Sequence, residues 1–384
     1  MPDRHIYIDY NATTPLRDEV KAVMAADFDL FGNASSMHSA GRQARARVEE
    51  ARAAVASLLG ASAANILWTS GGSESNNTVF QTMREIADDK RNEIITTNIE
   101  HPCVLNSAKF LQSIGFKVIF LPVDQYGIVD MNVFEKALNE KTLLVSIMLA
   151  NNEIGTIQDI SGIAQRAKRF GAWIHTDAVQ AAGKMPLNVD ELGVDYLTLS
   201  CHKIYGPKGV GALYFRNNAP VVPLIRGGHQ EDGRRAGTYN NGAILGFGVA
   251  AQLALRDVDT YKNTITPLRN RLREGLLAHI PDCIVNGHPH DVLPNTLNVS
   301  FPGAEGESIL LSMDLAGIEA STGSACASGS LEPSHVLMAI GAGPERAHGS
   351  IRFSLGWGIT AADIDYIVET VPPIITRLRS MSTV

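Results

Sequence analysis

The chain has 384 residues, 45% hydrophobic and 19% charged, which excludes a disordered protein and supplies more apolar matter than one core usually holds. Its net charge of −7 argues against a nucleic-acid-binding surface. Four cysteines (Cys103, Cys201, Cys283, Cys326) with no CxxC spacing exclude a disulfide scaffold and a zinc ribbon and suit a reducing, cytoplasmic compartment.

In chain order, the N-terminus shows no apolar run behind its basic residues, so no signal peptide is expected. Arg42–Leu59 reads as a helix, with Ala44, Val48, Ala51, Val55 and Leu58 on one face and Gly60 as its stop. Strands are predicted at Ile66–Thr69, Glu93–Thr97, Lys117–Leu121, Leu143–Leu149, Trp173–Thr176, Tyr196–Leu199 and Gly211–Phe215. Helical patterns separate several of them, as at Ile160–Phe170, which is the signature of an α/β fold with a mostly parallel sheet. Gly242–Leu255 is apolar but too short to span a membrane. From about Asp257 the character changes: an Arg- and Leu-rich helix at Leu268–His279, then short strands and a Gly/Ser/Ala loop. A division is therefore expected near Asp259: an arm at 1–15, a large domain at 16–258 and a small domain at 259–384.

Polar residues gather where the predicted strands run out. Ser70-Gly-Gly-Ser73 follows the first and Glu100-His101 the second; Asn151-Asn-Glu153 ends the fourth. Asp177 and Gln180 follow the fifth; Ser200, His202 and Lys203 follow the sixth. In an open α/β sheet, ligands bind outside the carboxyl ends of the strands, so this clustering locates the site.

Three of these groups suggest a chemistry. The Gly-Gly turn opening a helix at Ser73 offers an anion cradle, although alone it reads more readily as an ordinary Ser cap. Neither a P-loop nor a GxGxxG fingerprint occurs. Lys203, at the end of an apolar strand, is placed like a Schiff-base lysine, against the alternative of a solvated loop lysine. Asp177 either caps the next helix or partners a protonated pyridine nitrogen. Together they point to pyridoxal 5′-phosphate. Cys201 and His202 are adjacent and point apart in extended chain, so a metal site is not expected.

The chain resembles the cysteine desulfurases of the NifS/IscS type, in the fold-type-I aminotransferase superfamily. Matching motifs run nearly end to end: Ile8–Thr14, Gly32–Ser36, Thr69–Asn77, Glu100-His-Pro102, Asn151–Gly155, His175–Gln180 and Ser200–Gly211. Arg235-Ala-Gly-Thr238, Gly323-Ser-Ala-Cys326, Leu331–Ser334 and Ser350–Phe353 complete them. The resemblance implies a Schiff-base lysine at Lys203, a ring-nitrogen partner at Asp177 and a ring-stacking, proton-moving His101. It implies that Gln180 bonds the ring hydroxyl and that Gly72, Ser73, Ser200 and His202 hold the phosphate. Thr238 would reach that phosphate from the second subunit of a homodimer. Asn152, also at the cofactor, and Arg352 would hold the substrate carboxylate, a task suited to a guanidinium fork.

Cys326 matches the nucleophile. It lies in Ala320–Ser330, a run of small residues that reads as a flexible linker, as a thiol serving two places would require. The implied activity is conversion of L-cysteine to L-alanine, with sulfur passing through a Cys326 persulfide to an acceptor protein. No direct nucleic-acid or membrane partner is expected. A selenocysteine lyase or another fold-type-I activity is the near alternative, and a non-catalytic sulfur-relay scaffold the distant one. Ser73 stands where many members carry Thr, which keeps the hydroxyl. The end of the chain, Arg377–Val384, lacks the docking extension of housekeeping members, so the acceptor pathway stays open.

Overall fold

The computed structural model describes residues 5–322 and 333–381. The chain opens with β1 (Ile6–Tyr7), α1 (Asp18–Asp27), α2 (Ser39–Leu58), β2 (Ile66–Thr69) and α3 (Gly72–Ile86). It continues through β3 (Glu93–Thr97), α4 (Pro102–Ser113), β4 (Lys117–Leu121), α5 (Met131–Ala137), β5 (Thr142–Ser146) and α6 (Ile160–Lys168). Then come β6 (Trp173–Asp177), α7 (Val189–Leu192), β7 (Tyr196–Ser200), β8 (Gly211–Phe215) and α8 (Asn241–His279). The remainder comprises β9 (Ile284–Asn286), β10 (Thr296–Ser300), α9 (Gly306–Leu315), β11 (Ile318–Glu319), α10 (His335–Ala339), α11 (Gly343–His348), β12 (Ser350–Ser354) and α12 (Ala361–Met381).

Seven strands form one sheet in the order β2-β8-β7-β6-β5-β3-β4. β3 to β7 are mutually parallel, while β8 lies antiparallel between β2 and β7. β2, β3, β5, β7 and β8 are buried along their whole length, as expected of a sheet covered on both faces. Successive residues serve opposite layers: Ile95, Val145 and Leu197 join the side packed by α2, α6 and α8, whereas Ile94, Leu144 and Tyr196 join the side packed by α3 and α4. The mostly parallel α/β architecture expected from sequence is present.

The second part centres on the antiparallel sheet β12-β10-β9 and a parallel pair, β1 with β11. Its separate apolar core gathers Leu297, Val299, Ile351 and Phe353 with Ile364, Ile367, Val371 and Ile375 of α12.

α8 departs from the sequence reading. The predicted helix Leu268–His279 is only the end of a 39-residue helix beginning at Asn241, and the expected boundary near Asp259 falls inside it. Gly242, Gly246, Gly248 and Pro267 mask the continuity in sequence, because each lowers helix propensity. The structure shows what one glycine is for: a Cβ on Gly248 would lie 2.7 Å from the Cα of Ala51 in α2. Ala243–Leu253 of α8 enters the first core and Tyr261–Leu276 the second, so one rigid element spans both. Among the described residues, no helix is long and apolar enough to cross a membrane.

Candidate active site

The carboxyl ends of β2, β3, β5, β6 and β7 converge on a cavity of about 390 Å³, within the range of small-ligand sites. Gly72, Ser73, His101, Asn152, Asp177, Gln180, Ser200, His202, Lys203 and Arg352 all line it. Ten residues scattered over 281 positions thus meet in one place because each ends or follows a strand or, for Arg352, sits within β12.

The floor is the start of α3. Gly71 occupies the cap position without a side-chain cap bond, which leaves the helix N-terminus to polar groups in the cavity. A Cβ on Gly72 would sit 2.9 Å from Val179 Cγ2, so a side chain here would fill the cradle. Burial and the nearby Lys203, Lys208 and Lys184 push His202 down to about 4, so it is a neutral donor. Its Nδ1 lies 3.2 Å from the Thr13 hydroxyl.

Asp177 ends β6 as a fixed carboxylate. Its Oδ2 accepts from Asn76 Nδ2 at 2.7 Å and its Oδ1 from the Val179 amide at 3.0 Å. Lys203 Nζ donates to the Asn11 and Ala12 carbonyls at 2.5 and 2.7 Å. Gln180 is locked at both ends: Nε2 donates to the Asn11 carbonyl at 2.9 Å, and Oε1 accepts from Lys184 Nζ at 2.7 Å. Lys184 is wholly buried, and its pKa falls well below the usual lysine range because burial, Lys203 and Arg352 disfavour its charge.

His101 caps α4, with Nδ1 accepting from the Cys103 amide at 3.2 Å and 3.0 Å from its Sγ. Burial lowers its pKa most, while Asp177 opposes the shift. The neutral ring therefore carries its proton on Nε2, a tautomer assigned from the Nδ1 acceptor role. Burial, then Asp177, pushes the Cys103 thiol up to about 12.

Arg352 is 2% exposed. Its Nη2 meets Asp9 Oδ1 at 2.7 Å and its Nη1 donates to the Asn152 carbonyl at 3.1 Å. Among the described residues its buried Nε has no hydrogen-bond acceptor.

Two sequence expectations stand apart. Thr238 is exposed and does not line this cavity within one chain, and Cys326 lies outside the described residues. Sequence reasoning assigned no role to Asn11, Asn76 or Asp9. Asn76 sits three residues after Ser73 on α3, the spacing that places two side chains on one helix face, and that signal was readable.

A family model described as Aminotransferase class-V matches residues 6–367. Cysteine desulfurase IscS of Dictyoglomus turgidum is 49% identical over 380 residues, covering 99% of this chain and 96% of that protein. A solved structure described as a NifS-like protein superposes with a TM-score of 0.92 at 38% identity, over 97% of this chain and 100% of its own. Another, described as SspA in complex with cysteine, gives 0.80 at 36% identity over 91% of this chain and 98% of its own.

Proposed function

Because the chain belongs to the class-V aminotransferase family, we propose that the cavity around Lys203 is its active site. The chain is a pyridoxal 5′-phosphate-dependent cysteine desulfurase of the NifS/IscS type, converting L-cysteine to L-alanine and handing the sulfur on through an enzyme persulfide. One observation carries the assignment of the site: Lys203, Asp177 and the start of α3 line the same cavity.

The residues present fit the cofactor. The start of α3, Ser73, Ser200 and neutral His202 offer donors for a phosphate, Asp177 a fixed negative charge for a protonated ring nitrogen, and Lys203 an amine for the aldehyde. When bound, pyridoxal 5′-phosphate supplies an electrophilic carbon and an electron-withdrawing ring that acidifies the substrate Cα.

The chain's own residues do the rest. Arg352 and Asn152, both lining the cavity, orient the substrate carboxylate. Lys203 Nζ takes the Cα proton, and the Asn11 and Ala12 carbonyls steady the ammonium that results. His101, neutral with its proton on Nε2, moves protons at the cavity wall. Cys326, as thiolate, attacks the substrate sulfur: an S–S bond forms, the substrate Cβ–S bond breaks with its electron pair passing to carbon, and protonation completes alanine.

The described cysteines support that choice of nucleophile. Cys103 is held protonated, Cys201 is wholly buried with its pKa well above the usual thiol range, and Cys283 packs against the second core. We assign cofactor binding to 16–258 and the thiol to 259–384, with the arm 1–15 joined to the latter through Ile6 and Ile8 of the second core and α8 crossing the division.

The homodimer has its own support. Phe28, Phe31 and Met37 are 86%, 93% and 90% exposed. Asn241 Nδ2 donates to the Gly32 carbonyl at 3.1 Å, which sets this apolar loop beside the Thr238 turn. Arg235, in that turn, pairs with Glu74 of α3 at 2.9 Å. A second copy covering this face would bring its Thr238 to the phosphate cradle. The sulfur acceptor is a protein, and the compartment the cytoplasm.

Borohydride reduction of the cofactor-loaded enzyme should fix the cofactor to the peptide containing Lys203. Labelling on Lys184 or Lys208 instead overturns the site assignment. Lys203→Ala should keep part of its cofactor through the phosphate donors yet lose turnover.

A further inference from the structure

Glu153 has no part in the chemistry above, yet it is wholly buried beside Asn152. A buried carboxylate is costly unless something fixed answers it. Ser334 Oγ does so, donating to Glu153 Oε2 at 2.5 Å while accepting from the Leu337 amide at 3.2 Å as the cap of α10. Capping requires only the acceptor role, so the bond to Glu153 is an additional function of this serine.

Around that bond the start of α10 is docked on the site's own loops. His335 Nε2 lies 2.9 Å from the Glu100 carbonyl, next to His101. Val336 and Leu337 pack on Ile99 and Ile154. Thirteen residues upstream, the Arg352 amide donates to the Ser321 carbonyl at 2.7 Å, and the Ser321 amide to the Arg352 carbonyl at 3.4 Å. The chain between Ser321 and Ser334 carries Cys326, and both its moorings adjoin the substrate-carboxylate pair, Arg352 and Asn152.

We propose that Glu153 and Ser334 are positioning residues for sulfur transfer, mooring the downstream end of the Cys326 segment to the loop that presents Asn152. The proposal rests on the desulfurase reading. Glu153 is pushed up to about 7 by burial, against the opposing effects of Ser334 and Arg352, and in either protonation state it retains an oxygen that accepts from Ser334.

The test uses cofactor-loaded, full-length enzyme with L-cysteine, following alanine release and the visible spectrum. Ser334→Gly removes the donor at a position where glycine still caps a helix; Glu153→Ala removes the acceptor. Both should bind cofactor and keep the cysteine-induced spectral change. Their kcat should fall about tenfold or more, while KM stays within about threefold. The double variant Glu153→Gln with Ser334→Asp reverses donor and acceptor and should recover most of kcat, which a purely structural loss would not. Single variants with unchanged kcat, a raised KM with kcat intact, or a double variant no better than the singles would each overturn the proposal. Failure of the desulfurase reading looks different: the unmodified enzyme then releases no alanine.

Discussion

Glu100 shows how one side chain serves the site from behind. Its Oε1 accepts from Thr97 Oγ1 at 2.7 Å and from the Met148 amide at 3.0 Å, so it ties the turn that carries His101 to the end of β5. Its Oε2 is buried without a partner among the described residues. Burial first, then Asp177, pushes its carboxyl from 4.5 to about 8. Between those values the folded protein holds a proton that the unfolded chain has released, so this group makes stability fall as pH rises, by up to about 1.4 kcal/mol per pH unit. Glu100→Gln, which cannot titrate, should show a smaller drop in urea midpoint from pH 6 to pH 8 than the unmodified protein; an identical drop would refute the shift. At this scale the cavity lining was legible where a residue's type announces a task, as with Lys203 and Asp177, whereas Arg352 came from the family resemblance. Asn11 and Asn76 were not, because an amide's role lies in its partners. Asn76 matters through Asp177, and Asn11 through Lys184 at its side chain and through Lys203 and Gln180 at its main-chain carbonyl, all distant in sequence.

Among the elements, the buried strands were readable because short apolar runs between turn residues have few alternatives. β2, β3, β4 and β8 match the expected limits, and β5 ends earlier than expected. Beyond Ser146 the chain still bonds along β6, through the Ile147 and Leu149 amides, until it delivers Asn152. α8 was not readable, since its glycines look like loop residues until the neighbouring helices are in place. The close approach at Gly248 gives a direct test. Gly248→Ala should destabilise by about 1–3 kcal/mol through overpacking against Ala51. Gly242→Ala, whose Cβ would first meet the movable Asp27 carboxylate at 3.3 Å, should be neutral or gain up to ~1 kcal/mol from helix propensity. Thermal midpoints decide it: equal losses at both positions would remove the packing explanation.

For the whole molecule, the α/β class followed from strand–helix alternation, whereas the contacts that finish the site are long-range. β1 pairs with β11, about 310 residues away by the register Ile6 to Ile318, and the following turn brings Asn11 and Ala12 to Lys203. No local pattern encodes such pairings. The exposed Phe28 and Phe31 extend the account to a second copy: Phe28→Asp with Phe31→Asp should shift sedimentation to the monomer and weaken cofactor retention, each lost burial costing about 1.5–3 kcal/mol. A dimer that persists with full cofactor would place the interface elsewhere. The central claim is that two separable groups act on one substrate: Lys203 with Asp177 and Arg352 of the cavity, and the Cys326 thiol. Alanine release by Cys326→Ser, read beside its visible spectrum, tests this most directly. The account predicts that L-cysteine still changes the spectrum, because the cavity is intact, while alanine falls to a trace. Alanine released at near the unmodified rate would show that Cys326 is not the nucleophile and that the mechanism is wrong.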